Sequence, residues 1–114
     1  MTAGLEARAG ELHGALDSIA ARQRTTAVLR TSGDDIVAGG ARDLTPTQRA
    51  LLGPGETAAR MPGAHAEVTA LRAAEGAGVA PRAIGVTRPI CTECQRAIEA
   101  SGGRLTSPTT AVWE

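Results

Sequence analysis

From Met1 to Val112 the chain carries no aromatic side chain, and Trp113 is the only one it has. A core must therefore be assembled from Ala, Leu, Val and Ile, which bury less area each than aromatic rings do. At 114 residues there is enough chain for one domain with one core and too little for two, so a single domain over 1–114 is expected. A domain of this size with a thin aliphatic core gains from a staple such as a bound metal. Attention thus turns to how the small apolar residues are spaced and to which side chains could grip an ion.

Periodicity predicts a helix over residues 3–22, with Leu5, Leu12, Leu16 and Ile19 on one stripe and His13 near it. Residues 25–31 (TTAVLRT) and 36–38 (IVA), separated by SGDD, read as a β-hairpin ending at Gly39 and Gly40. Residues 43–63 hold three Pro and three Gly, with a short helix predicted from Thr47 to Leu52 behind Pro46 and a loop elsewhere. A second helix is predicted over 64–75, ended by Gly76 and Gly78, and a strand over 82–87. A third helix is predicted over 91–100, then one or two final strands split by Pro108. Strand–helix–strand units of this kind predict an α/β domain, a sheet with parallel pairing covered by helices.

Charge excludes some classes. All twelve basic residues are Arg and the formal net charge is zero. The Arg bias reflects either GC-rich coding or recognition of phosphate, for which the guanidinium fork is the better donor. A neutral chain lacks the overall basic footprint of a sequence-blind nucleic-acid binder, although a local Arg-lined groove remains compatible. No apolar run approaches the roughly 20 residues that span a bilayer, and the N-terminus lacks a signal-peptide pattern, so a soluble chain without a membrane partner is expected.

The chemistry concentrates at HAEV (65–68) and PICTEC (89–94), which hold one of the two histidines and both cysteines. Cysteines at C-x-x-C spacing can form a disulfide, a redox pair or a metal clamp, and a disulfide across so short a loop stabilises little. His65 opens the second predicted helix, and Cys91 and Cys94 open the third. If these helices lie side by side on the sheet, their N-termini point the same way and the three side chains converge. A helix N-terminus favours thiolate through its positive dipole end and free N–H groups. Two thiolates and an imidazole suit Zn²⁺ at roughly 2.0–2.3 Å, and three protein ligands leave a fourth tetrahedral position open. Glu67, two residues past His65, can act as a general acid and base beside the metal without ligating it. A zinc ion lowers the pKa of its water to about 7.

Through His65-Ala66-Glu67 and Pro89-Ile90-Cys91-Thr92-Glu93-Cys94 the chain resembles the cytidine deaminase-like superfamily, over roughly residues 22–114. Within it, HAEV and PIC-x-x-C are similar to the toxin-type deaminases, the YwqJ-like and related groups, which form C-terminal domains of bacterial polymorphic toxins. One departure stands out: the family places Pro directly before the first Cys, whereas here Ile90 intervenes between Pro89 and Cys91.

The resemblance implies a cytidine deaminase-like three-layer α/β fold, a mixed four- to five-stranded sheet flanked by about three helices. It implies a zinc-dependent hydrolytic deaminase converting cytosine to uracil in nucleic acid, single- or double-stranded DNA ahead of RNA. It implies His65, Cys91 and Cys94 as zinc ligands and Glu67 as the acid/base. It further implies the Ala66 backbone N–H as a contact to the base carbonyl, and backbone carbonyls at Arg88, Pro89 and Ile90 as acceptors for the exocyclic amine. A monomer is expected, secreted or delivered into a target bacterial cell to act in its cytoplasm, with a cognate immunity protein as a partner. Arg42, Arg60 and Arg88 flank the expected pocket as phosphate contacts or as solvated side chains. Trp113 is either core or the platform on which a flipped base stacks. Two other readings stay open here: a free cytidine or nucleotide deaminase of pyrimidine salvage, and a non-enzymatic zinc-binding interaction module.

Overall fold

Gly14 and Asp17 decide how the chain begins. In the computed structural model, which describes residues 2–61 and 63–114, the helix predicted over 3–22 is two: α1 (Thr2–His13) and α2 (Ser18–Gln23). The Asp17 carboxylate accepts a 2.8 Å hydrogen bond from the Ala20 N–H and caps the second helix, so the first cannot run through. The break also ends the predicted apolar stripe. Leu5 and Leu12 are buried, Leu16 is half-buried and Ile19 is 66% exposed.

The predicted hairpin is β1 (Thr26–Thr31) and β2 (Asp35–Gly39). Inside the predicted loop, α3 (Pro46–Ala50) starts at Thr45 through a reciprocal capping box with Gln48, and β3 (Glu56–Ala58) adds a strand that the sequence reading lacks. Of that loop, Pro62 lies outside the described residues, as does Met1. Then follow α4 (Ala66–Ala77), β4 (Pro81–Val86), α5 (Thr92–Ala100), β5 (Gly103–Ser107) and β6 (Thr110–Trp113). The sheet therefore has six strands, not four or five, and five helices accompany it among the described residues, not three.

The strand order is β3-β2-β1-β4-β6-β5. The expected parallel neighbours are a correction: β2 and β3 form the parallel pair, and β1/β2, β1/β4, β4/β6 and β5/β6 are all antiparallel. The crossover logic nevertheless survives. Because β2 and β4 both run antiparallel to the strand between them, they point the same way, and so by the same reasoning do β4 and β5. Each strand–helix–strand unit thus steps over one opposed strand. Helices α4 and α5 both start at the edge of the sheet where β2 and β4 end.

Three layers result. Ala27, Leu29, Ile36, Ala38, Ile84 and Val86 face α4 and α5, where Ala66, Ala70, Ala74, Cys94 and Ile98 complete the core. The alternate residues Val28, Val37 and Ala83 turn to the other face and meet Leu5, Ala9 and Leu12 of α1. Small side chains let the layers approach. A Cβ on Gly85 of β4 would run into the Leu5–Glu6 backbone of α1. Trp113 lies half-buried at the end of β6, its indole N–H donating to the Ser101 hydroxyl at 2.9 Å. Among the described residues no helix is long and apolar enough to cross a membrane.

Candidate metal centre

His65 and Cys91 are the N-cap residues of α4 and α5, both with extended backbone and neither with a side-chain capping hydrogen bond. Their side chains are free to turn outward because other groups fix the local backbone. The Thr69 N–H and hydroxyl both donate to the His65 carbonyl at 2.9 Å. The Gln95 N–H donates to the Cys91 carbonyl at 2.9 Å, and the Gln95 side-chain amide donates to the Ile90 carbonyl at 2.9 Å. The Ile90 N–H donates to the Pro108 carbonyl at 2.8 Å, tying this turn to the β5–β6 connection.

These anchors bring His65, Cys91 and Cys94 together, with one ligand atom from each lying within 4.8 Å of the others. His65 Nδ1 is 3.7 Å from Cys91 Sγ. Ligand bonds of 2.0–2.3 Å at tetrahedral angles require separations of about 3.3–3.8 Å, so a closure of about an ångström seats all three on one ion. Cys91 and His65 are exposed and Cys94 is buried, and no disulfide joins the cysteines. The donor set and its spacing fit a metal ion. Burial, followed by the nearby Glu67 carboxylate, pushes the Cys94 thiol up, so a thiolate at that depth calls for a cation beside it. On the outer side, His65 Nε2 lies 3.7 Å from the Glu93 carboxylate, which offers the ring a partner opposite the cysteine.

Glu67 is buried in the first turn of α4. Desolvation pushes its carboxyl above the usual carboxylate range, opposed by its own backbone N–H, by Cys94 and by His65. It lines a cavity of about 370 Å³ together with His65, Ala66, Arg88, Pro89 and Cys91. Cys94 sits behind this wall in the core.

Ile90 is core as well, 4% exposed, with its carbonyl accepting from Gln95, so of the three residues expected in that turn Arg88 and Pro89 line the cavity and Ile90 does not. Gly40 forms part of the floor, close under the Ala66 N–H, where a Cβ would approach to 3.2 Å. Arg60 is 69% exposed and reaches Asp43 at 3.9 Å, outside the cavity, and Arg42 lies in a neighbouring depression. Trp113 stands at the opposite edge of the sheet, where β4 begins, and is no platform for this cavity. His13 is held by Thr26 Oγ1 at 2.9 Å and the Ala21 carbonyl at 2.7 Å, away from the centre.

Sequence reasoning missed Gln23 and Thr25, which supply polar wall to the cavity. The available hint was the place of Thr25 directly before β1, where its carbonyl accepts from the Gly40 N–H at 2.7 Å; Gln23 ends α2 and carried no such signal. Comparison with protein-family models, curated proteins and solved structures finds no match.

Proposed function

We propose that this chain is a zinc-dependent hydrolytic deaminase that converts cytosine to uracil in nucleic acid, DNA ahead of RNA, as the effector domain of a bacterial toxin. The observation that carries the reading is the convergence of His65, Cys91 and Cys94 beside a buried Glu67 at the wall of one cavity. The toxin assignment rests on the likeness of HAEV and PICTEC to that branch.

Zinc, held by His65, Cys91 and Cys94, would supply Lewis acidity and lower the pKa of a water to about 7. The residues of the chain do the rest. In this reading the Ala66 N–H, in the first turn of α4 where no intrahelical acceptor is available, holds the base carbonyl; Ala66 lines the cavity. Carbonyls at Arg88 and Pro89 accept from the exocyclic amine. Glu67 removes one proton from the attacking water and delivers it to the ring nitrogen, then takes the remaining proton from the hydroxyl now on the ring carbon and passes it to the departing amine as the C–N bond breaks. Cytosine and water thus become uracil and ammonia. Its raised proton affinity suits a group that must both take and return protons.

The test incubates zinc-loaded protein with single-stranded DNA, double-stranded DNA, RNA and free cytidine and reads C-to-U conversion in each. Conversion in a polynucleotide supports the reading. Conversion of cytidine alone moves the chain to nucleoside salvage, and no conversion with zinc bound leaves an interaction module.

A further inference from the structure

Beside the first cavity lies a second of about 400 Å³, and the two share Gln23 and Ala41 as a common wall. The second is framed by Ile19, Arg24 and Arg42, with Arg88 on the first. None of these three arginines has a carboxylate within 4.0 Å among the described residues, a state shared with Arg22, Arg49, Arg72, Arg82 and Arg96, and what sets the three apart is their place on the two adjoining cavities. The one carboxylate of the second cavity, Asp17, is engaged in capping α2. Ile19 is the most exposed large apolar residue described, and it stands in this groove. Between the cavities Ala41 adopts φ +67, a left-handed conformation that costs a non-glycine residue about 1 kcal/mol or more and that keeps only a methyl group at the junction.

We propose that the two cavities form one track for a single-stranded polynucleotide, with the reacting nucleotide in the first and its neighbour in the second. Arg24 and Arg42 hold the phosphate beside that neighbour, and Ile19 packs against its base or sugar. Free guanidiniums next to an exposed apolar side chain match a phosphate next to a flat ring. Three arginines without a carboxylate partner thus stand along the track of a chain whose net charge is zero. The occupant named for the first cavity rests on the deaminase reading, whereas the track itself rests on the groove.

The test measures binding of a fluorescein-labelled thymidine oligonucleotide of about twelve residues, which offers phosphates and rings but no cytosine. Arg24→Ala/Arg42→Ala should weaken binding about ten-fold and lower the slope of log Kd against log salt by about 0.7 for each arginine removed. Ile19→Asp should weaken binding as well. Should the double variant fail to fold, Arg24→Gln and Arg42→Gln singly carry the same expectation at one arginine each. Absence of binding by the unmodified chain, or an unchanged Kd and slope in folded variants, overturns the track. In parallel, the variants should lose C-to-U conversion in an oligonucleotide and retain it on free cytidine; equal loss on both overturns the proposal. If the unmodified protein converts neither substrate while arginine-dependent binding persists, the deaminase reading falls and the track stands.

Discussion

The Nδ1 of His65 and the Sγ of Cys91 lie 3.7 Å apart, and each residue is the N-cap of its own helix. Neither side chain caps, so each helix start forgoes a hydrogen bond that Ser, Thr, Asp or Asn would supply, worth about 1 kcal/mol. This is a local rule broken in two equivalent places, and the common gain is a pair of ligands aimed at one point. Cys91→Ser should therefore stabilise the metal-free protein by about 0.5–1 kcal/mol while abolishing the stabilisation that added zinc gives. Denaturant titrations with and without zinc check both halves.

Metal removal should act in the opposite sense on the unmodified chain. A ligand bound at a hundred-fold excess over its Kd stabilises by about 2.7 kcal/mol, so chelation should lower the melting temperature by several degrees. Cys94→Ala should melt at the same temperature with zinc and with chelator, because the buried ligand of the set is gone. Metal analysis of the purified variant should find less than one zinc per chain.

Much of this centre was legible before any coordinates, and the reason is locality. Each side chain's place depends on its own helix start, and the sequence announces these as the end of the Pro–Gly stretch before His65 and the end of a strand before Cys91. The helix-covered α/β sheet followed from the strand–helix–strand order, and the near-continuous apolar runs of β1, β2 and β4 are buried on both faces. Strand order did not follow, because pairing is decided between segments far apart. Nothing local in β6 says that it inserts beside β4, displacing β5 to the edge. β3 was missed because three residues, Glu56–Ala58, carry no pattern of their own and are held by the edge of β2 and by Arg8. The division of the first helix was within reach: Gly14, then Asp17 three residues ahead of Ala20, is a stop followed by a cap.

Glu67→Gln tests the acid/base role without disturbing the ligands. The amide keeps nearly the same shape but cannot take up a proton. Zinc content should stay at that of the unmodified protein, and the proposed deaminase activity should fall by about 10²–10⁴. Activity within a few-fold of the unmodified protein would remove Glu67 from the mechanism.

The Arg8–Glu56 pair gives the acid dependence of the fold. Arg8 donates to both carboxylate oxygens at 2.8 and 2.9 Å, and this hydrogen-bonded pairing, helped by the Gly53 N–H against the effect of burial, holds the Glu56 carboxyl below its ordinary range. A lowered folded pKa means stability that is present above the unfolded value of about 4.3 and is lost as pH falls through the folded value. Glu56→Gln should lower stability at neutral pH by about 1 kcal/mol, and the gap should narrow below about pH 4.3 and then close. A difference that is constant with pH would show that the effect is packing and not charge.

Gly85→Ala tests whether α1 belongs to the folded unit. The added methyl group would meet the Leu5–Glu6 backbone, and backbone cannot step aside as a flexible side chain can. Either α1 lifts from β4, exposing Leu5, Ala9 and Leu12, or the strand shifts. Overpacking of this kind costs about 1–3 kcal/mol, and amide exchange distinguishes the two responses. Loss of protection confined to α1, with zinc affinity retained, is the expected result, since the candidate ligands His65, Cys91 and Cys94 lie at the starts of α4 and α5, across the sheet from α1. Loss of zinc affinity together with α1 would mean that the layer on one face holds the centre on the other in place.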